Sequence, residues 1–365
     1  MKDFLQIIRQ EREFMTKVRQ WCLAVLTLAG TAAAVAAGRG YLATRTPVTS
    51  TTYMMDTVIT QQLFGPEVEE AEAAIRQQLS GIEDRLSLYR ESSEIAAINE
   101  NAGGDWVSLS PESYALLERS VQFCQESQGR FDITVAPLTT LWDVTAEDPK
   151  VPPEEAITQA QALVDYRDLQ LQDGKARLAR SGQGLDLGAV AKGYACDVVR
   201  QTAGSYRLSG GYVSVGGNVV VLGNDPNGKP YRFGIRDPQG EPSEAIGSVA
   251  LSNQTMATTG TYERYFEVDG KRYHHILDPK TGYPAESDLL SVTVISEDGT
   301  LADYLSTALF LEGEEAVRQH LDEDTYSLVV VTEDGEVLLS SRLRGNFEND
   351  PESGYSFVFS DILSQ

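Results

Sequence analysis

Beyond about residue 205 the apolar residues of this 365-residue chain change period, and that change constrains the fold more than any single motif. Upstream, "PEVEEAEAAIRQQLSGIEDRLSLY" (66–89) carries apolar residues at helical spacing, with Pro66 at a first-turn position and acids after it. Ser110 and Pro111 open a second amphipathic helix, "ESYALLERSVQFCQES", closed by Gly129, and a third is predicted from Pro152 or Pro153. Downstream, "YVSVGG", "NVVVLGN", "YRFGIRD", "GSVALSN", "ERYFEVDG" and "KRYHHILD" cluster or alternate β-branched and aromatic residues between turn signals. Asn227-Gly228 and Asp269-Gly270 read as hairpin turns, and a last hairpin turns at Asp334-Gly335. Between them "LADYLSTALFLEGEEAVRQHL" returns to helix. Helices and mostly antiparallel strands in one unit make an α+β domain.

The amino-terminal end has a different texture. Basic and acidic residues mix over 1–20, and an 18-residue run without a charge follows from Trp21 to Gly38. That length just spans a bilayer as a helix, and basic residues before it predict the amino terminus inside and the main domain outside. The expectation is a cytoplasmic segment over 1–20, a single-pass anchor over 21–40, a Gly/Ser/Thr/Pro linker over 41–51, a folded domain over 52–345 and an extension over 346–365. The Ala-rich end of the run also has small residues at signal-peptidase spacing, so a cleaved signal fits the same residues. Cys124 and Cys196 stand outside any CxxC and read as two buried free thiols. A formal net charge of −24 argues against nucleic acid as a partner, and a phosphate-bearing ligand needs a local cation.

Several short stretches can carry chemistry. In "GLDLGAVAKGYACDVV" a Gly-flanked loop enters a helix with Lys192 in its first turns, a place where backbone N–H groups and a cation favour an anion, or simply a capped helix with a surface lysine. Asp186 in that loop could accept from a ligand hydroxyl. In "ADYLSTALF", Asp303 and Thr307 stand four apart and share a helix face, with Ser306 at the neighbouring angle; oxygens of this kind suit Mg²⁺, and equally suit helix capping and back-bonding. In "RFDITVAPLTTLW", Asp132 joins Thr134 and Pro137 ends the run. The adjacent His274 and His275 of "HHILDPKTGYP" lie on a strand, where neighbours face opposite ways, so they do not form a two-histidine metal centre. One of them can act as a base or orient a substrate, or be a hydrogen-bonded scaffold residue.

Taken in order, "MDT", "SLYRESSEIAAIN", "GRFDITVAPLTTLW", "LDLGAVAKGYACD", "VSVGGNV", "TTGTYERYFEVDGKRYHHILDPKTGYP" and "ADYLSTALFLEG" resemble the ApbE family, the FAD:protein FMN transferases, from about residue 53 to 341. The resemblance implies an ApbE-like, T-fold-like domain of mixed helices and antiparallel strands that takes FAD as substrate with Mg²⁺. It implies transfer of the FMN moiety to a Thr or Ser hydroxyl of an acceptor protein, with release of AMP. It also implies that Met55, Tyr89, Arg130, Phe131, Asp132, Asp186, Lys192, His275 and Ile276 line the FAD site. The metal would be held by Asp303, Thr307, Ser306 and the carbonyl of Ala189, and the chemistry carried by His275, Asp303 and Lys192. His275 is the histidine that matches the motif, and it would position or deprotonate the acceptor; His274 is scaffold. The alternatives are a flavin-binding protein without transferase activity, or hydrolysis of FAD to FMN and AMP. With the anchor, the expectation is a membrane-tethered enzyme whose catalytic domain lies outside the cytoplasm.

Overall fold

A computed structural model describes residues 45–361. The expected segments 1–20 and 21–40 lie outside the described residues, and within the described residues no helix is long and apolar enough to cross a membrane. The first strand already begins at Val48, inside the stretch expected as linker.

Among the described residues, nine strands form one sheet, in the order Val48–Met54, Thr57–Phe64, Gly210–Val215, Asn218–Leu222, Thr255–Gly260, Leu289–Ser296, Tyr326–Thr332, Glu336–Leu339, Ser356–Phe359. All neighbours run antiparallel except the last pair. The central strands read as continuous apolar runs because both faces are covered: Val220 joins the helix-side core while Val219 and Val221 join the core on the other face. That second face is closed by a three-stranded sheet of Tyr231–Arg236, Ala245–Leu251 and Phe347–Asn349. Residues 347–349 and 356–359, from the stretch expected as an extension, are thus woven into both sheets.

The helix face carries Val68–Leu86, Ala191–Ala203 and Gly299–Glu312. Val68, Ala71, Ile75, Leu79, Ile82 and Leu86 are the buried stripe the sequence spacing predicts. Ser110 caps Pro111–Glu126 through its side chain, and Glu154–Gln161 follows Pro153. Pro137 does not end an element; it stands in the first turn of Ala136–Trp142, where a missing N–H costs nothing. Asn227-Gly228 does turn, with Asp225 accepting from the N–H groups of Asn227 and Lys229, but it joins strands of two different sheets and is not a hairpin. Asp269-Gly270 closes the Tyr265–Val268/Lys271–His274 hairpin as expected, with positive φ at both residues. Cys124 and Cys196 are buried and free.

Two helices meet closely. A Cβ on Gly193 would lie 2.2 Å from the carbonyl oxygen of Gly299, so Ala191–Ala203 and Gly299–Glu312 cross backbone to backbone. Asp197 completes the joint by accepting from the N–H groups of Gly299 and Thr300 at 2.7 and 2.8 Å, capping the second helix from the first.

Candidate active site

One end of the large sheet, the start of Ala191–Ala203 and the middle of Gly299–Glu312 enclose a cleft of about 610 Å³, within the roughly 300–1,000 Å³ of small-molecule sites. Two hairpin tips on neighbouring strands form part of its wall. Met55-Asp56 joins the first two strands with φ of 55° and 53°, and Gly216-Gly217 joins the next two with φ of 56° and 93°. Both are two-residue turns that need the left-handed region at each central residue, which glycine adopts freely and Met and Asp adopt at a cost. The Met55-Asp56 tip is held in place by Arg264, whose guanidinium donates to the Asp56 carbonyl at 3.0 Å.

The cleft gathers Met55, Tyr89, Arg130, Phe131, Asp132, Asp186, Ala189, Lys192, His275, Ile276, Asp303 and Thr307 from segments distant in sequence. Ser306 is not among them. It is fully buried behind the wall, donating to the Asp303 carbonyl and pairing with Thr259, so it is removed from the set of direct metal-facing oxygens. Tyr89 stands at the mouth, 75 % exposed, an aromatic face for a planar ring to cover. Phe131 is buried, edge-on to Tyr304, which itself stacks on Phe123.

Asp132 lines the cleft and also braces the loop behind it. One oxygen accepts from the Thr134 N–H and hydroxyl at 2.8 and 2.6 Å, and the other from the Tyr166 N–H at 2.9 Å. Burial pushes its carboxyl above the usual range against those hydrogen bonds. Its polar atoms are engaged in shaping the loop. Arg130 pairs with Asp278 at 3.3 Å, and Trp142 donates to the Gly282 carbonyl at 2.8 Å; together they clasp the "DPKTGYP" turn against the cleft.

The histidine pair divides its labour as strand geometry requires. His274 is buried: Nε2–H donates to the Ala285 carbonyl at 3.1 Å, and Nδ1 accepts from the Ile276 N–H at 3.3 Å. Burial lowers it to about 4. His275, just past the strand end, faces the cleft. Its Nδ1 lies 3.3 Å from the Arg264 carbonyl, which can only accept, so the proton sits on Nδ1 and Nε2 keeps its lone pair. Burial, then the charges of Lys192 and Arg264, push this imidazole down to about 3. It is a neutral base at ordinary pH.

Asp303 is also fixed from two sides. Oδ2 accepts from the Gly193 N–H and Oδ1 from the Asn218 amide, both at 2.8 Å. Each oxygen retains lone-pair capacity, and Thr307 lies one turn further on the cleft wall. Beside them the Oδ1 of fully buried Asn218 has no partner. Among the described residues no group of three or more His, Cys, Asp or Glu could hold a metal, so a cation here would draw on one carboxylate plus hydroxyl, carbonyl and water oxygens. That hard-oxygen set fits Mg²⁺ and not a thiophilic metal.

Two cations escaped the sequence reading. Arg236 comes from the smaller sheet and lies over the Tyr262 ring at 4.4 Å, and Arg264 links the hairpin tip to His275. Both line the cleft with Arg130 and Lys192, but Arg236 is paired with Glu263 at 3.4 Å and Arg130 with Asp278, so the local positive charge a phosphate ligand needs rests chiefly on Lys192 and Arg264. Arg264 works partly through its main-chain carbonyl, which leaves no trace in residue type.

The family model for the ApbE family matches residues 55–331. A Klebsiella pneumoniae FAD:protein FMN transferase is 34% identical over 311 residues, covering 84% of this chain and 95% of that one. Its Treponema pallidum counterpart is 36% identical over 263 residues, covering 68% and 72%. Among solved structures, the ApbE protein of Thermotoga maritima is similar with a TM-score of 0.76 and 33% identity, covering 82% of this chain and 99% of that one. The apo flavinyl transferase ApbE of Pseudomonas stutzeri gives 0.72 and 28%, covering 83% and 97%.

Proposed function

Because the chain belongs to the ApbE family, we propose that it transfers the FMN part of FAD to a hydroxyl of a Thr or Ser in an acceptor protein and releases AMP. The observation that carries this reading is the convergence of Asp303, Lys192 and a neutral His275 from three separate segments onto one cleft. The bond that breaks is the pyrophosphate link, and the bond that forms joins the FMN phosphorus to the acceptor oxygen. An alcohol is a weak nucleophile at neutral pH, so its proton must be removed as it attacks. His275 Nε2, with its lone pair free, accepts from that hydroxyl and positions it or takes its proton. Lys192, in the first turn of its helix and on the cleft wall, binds the phosphates through its ammonium group. Asp303, Thr307 and the Ala189 carbonyl are the oxygens that would hold Mg²⁺, which supplies charge neutralisation on the phosphate oxygens when bound. Tyr89 and Ile276 border the space for the planar rings, and Asp186 is available to a ligand hydroxyl.

The test is incubation of the purified chain with FAD, Mg²⁺ and an acceptor domain, read as in-gel flavin fluorescence after denaturation. A labelled acceptor is expected, and Asp303→Ala should abolish the label. Free FMN without labelled acceptor would instead identify an FAD hydrolase, and undiminished labelling by Asp303→Ala would remove the metal assignment.

The uncharged run from Trp21 to Gly38 motivates a further part of the reading: a single-pass anchor with the catalytic domain on the outer side of the membrane, serving extracytoplasmic electron-transfer proteins. Full-length protein should then sediment with membranes, and deletion of residues 1–44 should release it. Sedimentation unchanged by the deletion would reject the anchor.

A further inference from the structure

A chain of three hydroxyls runs from buried Ser306 out to Thr259 and Thr307 on the cleft wall, and its direction can be read from the buried end. Ser306 Oγ donates to the main-chain carbonyl of Asp303 at 2.8 Å. A carbonyl has no hydrogen to give, so the single proton of Ser306 is committed there. Thr259 Oγ1 lies 2.8 Å from Ser306 Oγ, and with Ser306 already committed the hydrogen between them comes from Thr259. That uses the only proton of Thr259. The 3.1 Å contact between Thr259 and Thr307 is therefore donated by Thr307. Thr307 is left with lone pairs alone on its remaining sides; it lines the cleft together with Thr259, whose own proton is already spent on Ser306, while Ser306 does not reach the cleft. The next hydroxyl on the strand, Thr258, does not interfere, because it pairs with Thr293 at 2.8 Å.

We infer that Thr259 and Ser306 are positioning residues that fix the hydrogen polarity of this chain, so that Thr307 meets the cleft as a pure acceptor beside the Asp303 carboxylate. A hydroxyl in that state suits a hard divalent cation, whereas one free to rotate can turn its proton toward the cation and oppose it. This explains why a buried serine that cannot reach the cleft stands next to the two residues that do. It also assigns a role to Thr259, the second threonine of the segment that opens with "TTGTYERYF". The inference rests on the cation reading above and deepens it.

The experiment uses Mn²⁺ as the probe, titrated into the purified chain with FAD and without acceptor, bound ion being counted by loss of the free-ion EPR signal against an FAD-only control. Thr259→Val keeps the shape and removes the hydroxyl; its Mn²⁺ affinity should fall by about 10- to 100-fold, the usual scale for groups that orient metal ligands. Thr259→Ser should bind as the parent does. Ser306→Ala removes the fixed end of the chain and should weaken binding as Thr259→Val does, and the double variant should be no worse than either single, because the three hydroxyls act as one unit. Parent-like affinity in Thr259→Val, equal losses in Thr259→Ser and Thr259→Val, or losses that multiply in the double variant would each overturn the inference while leaving the cation reading intact. A parent chain that binds no Mn²⁺ beyond the control would overturn the cation reading itself, and the inference with it. Should Thr259→Val not fold, Ser306→Ala set against Thr259→Ser separates the same outcomes: weakened binding in the first with parent-like binding in the second is expected, and parent-like binding in both would overturn the inference.

Discussion

Gly193→Ala puts the helix joint under direct load. The added carbon would lie 2.2 Å from the Gly299 carbonyl oxygen, 2.6 Å from Cβ of Asp303 and 2.8 Å from the Gly299 carbonyl carbon. Two of those three atoms are backbone and the third belongs to a side chain held by two hydrogen bonds, so relief requires the helices to part by about an ångström. Overpacking of this kind costs about 3 kcal/mol, at the upper end of its usual range. Alanine in a helix interior returns about 1 kcal/mol over glycine. The steric cost wins by about 2 kcal/mol, and at roughly 2–4 °C per kcal/mol in a domain of this size the melting temperature should drop by about 4–8 °C. Because the Gly193 N–H also holds Asp303 Oδ2 at 2.8 Å, flavin transfer should fall by about tenfold or more even where the variant is folded. Gly81→Ala is the internal control. It makes the same change inside Val68–Leu86, where the added carbon meets only the tip of Arg85 at 3.3 Å, so it should melt slightly higher than the parent. Thermal unfolding and acceptor labelling on both variants decide the matter. A Gly193→Ala protein that melts at or above the parent, with transfer intact, would refute the joint.

Two further outcomes follow from the same geometry. His274 and His275, lowered to about 4 and about 3, bind fewer protons folded than unfolded between those values and the ordinary range near about 6.5, so stability should fall as pH drops through that window. His275→Gln should flatten part of that dependence in acid melts, and an unchanged slope would show that the ring is not held neutral. Asp132→Asn turns an acceptor-only group into one that must set an amide N–H against a backbone donor, and should cost about 1–3 kcal/mol. FAD affinity, measured below the variant's melting range by fluorescence quenching, should suffer less than in Asp186→Ala; the reverse order would make Asp132 the stronger ligand contact of the two.

What the sequence made legible is what local physics decides. The stripe Val68, Ile75, Leu79, Ile82, the Ser110 cap and the Asp269-Gly270 turn each involve residues within a few positions of one another, and each stands where spacing predicts. Pro137 misled because the same missing N–H that ends a helix is harmless at the start of one. Asn227-Gly228 was legible as a turn but not as a connection, because sheet membership depends on partners far along the chain. The face shared by Asp303 and Thr307 followed from helical geometry alone, whereas Ser306, roughly 100° back from Thr307 around the helix, falls on the side that meets Thr259 instead of the cleft. Arg236, Arg264 and the hydroxyl chain were out of reach, since they depend on one strand lying beside another and on main-chain atoms that every residue type shares.

The joint of Gly193, Asp197 and Gly299 fixes the reactive oxygens through two crossing helices, while the Met55-Asp56 and Gly216-Gly217 tips stand at the ends of neighbouring strands and pack on one another through Gly216 and Thr57. For protein engineering this is a division between chassis and fittings. Met55 can be exchanged to reshape the cavity for other flavin analogues without touching the joint of the two helices, whereas Gly216, where a Cβ would lie 2.4 Å from the Thr57 hydroxyl, has to stay, and a change at the joint alters every substrate alike.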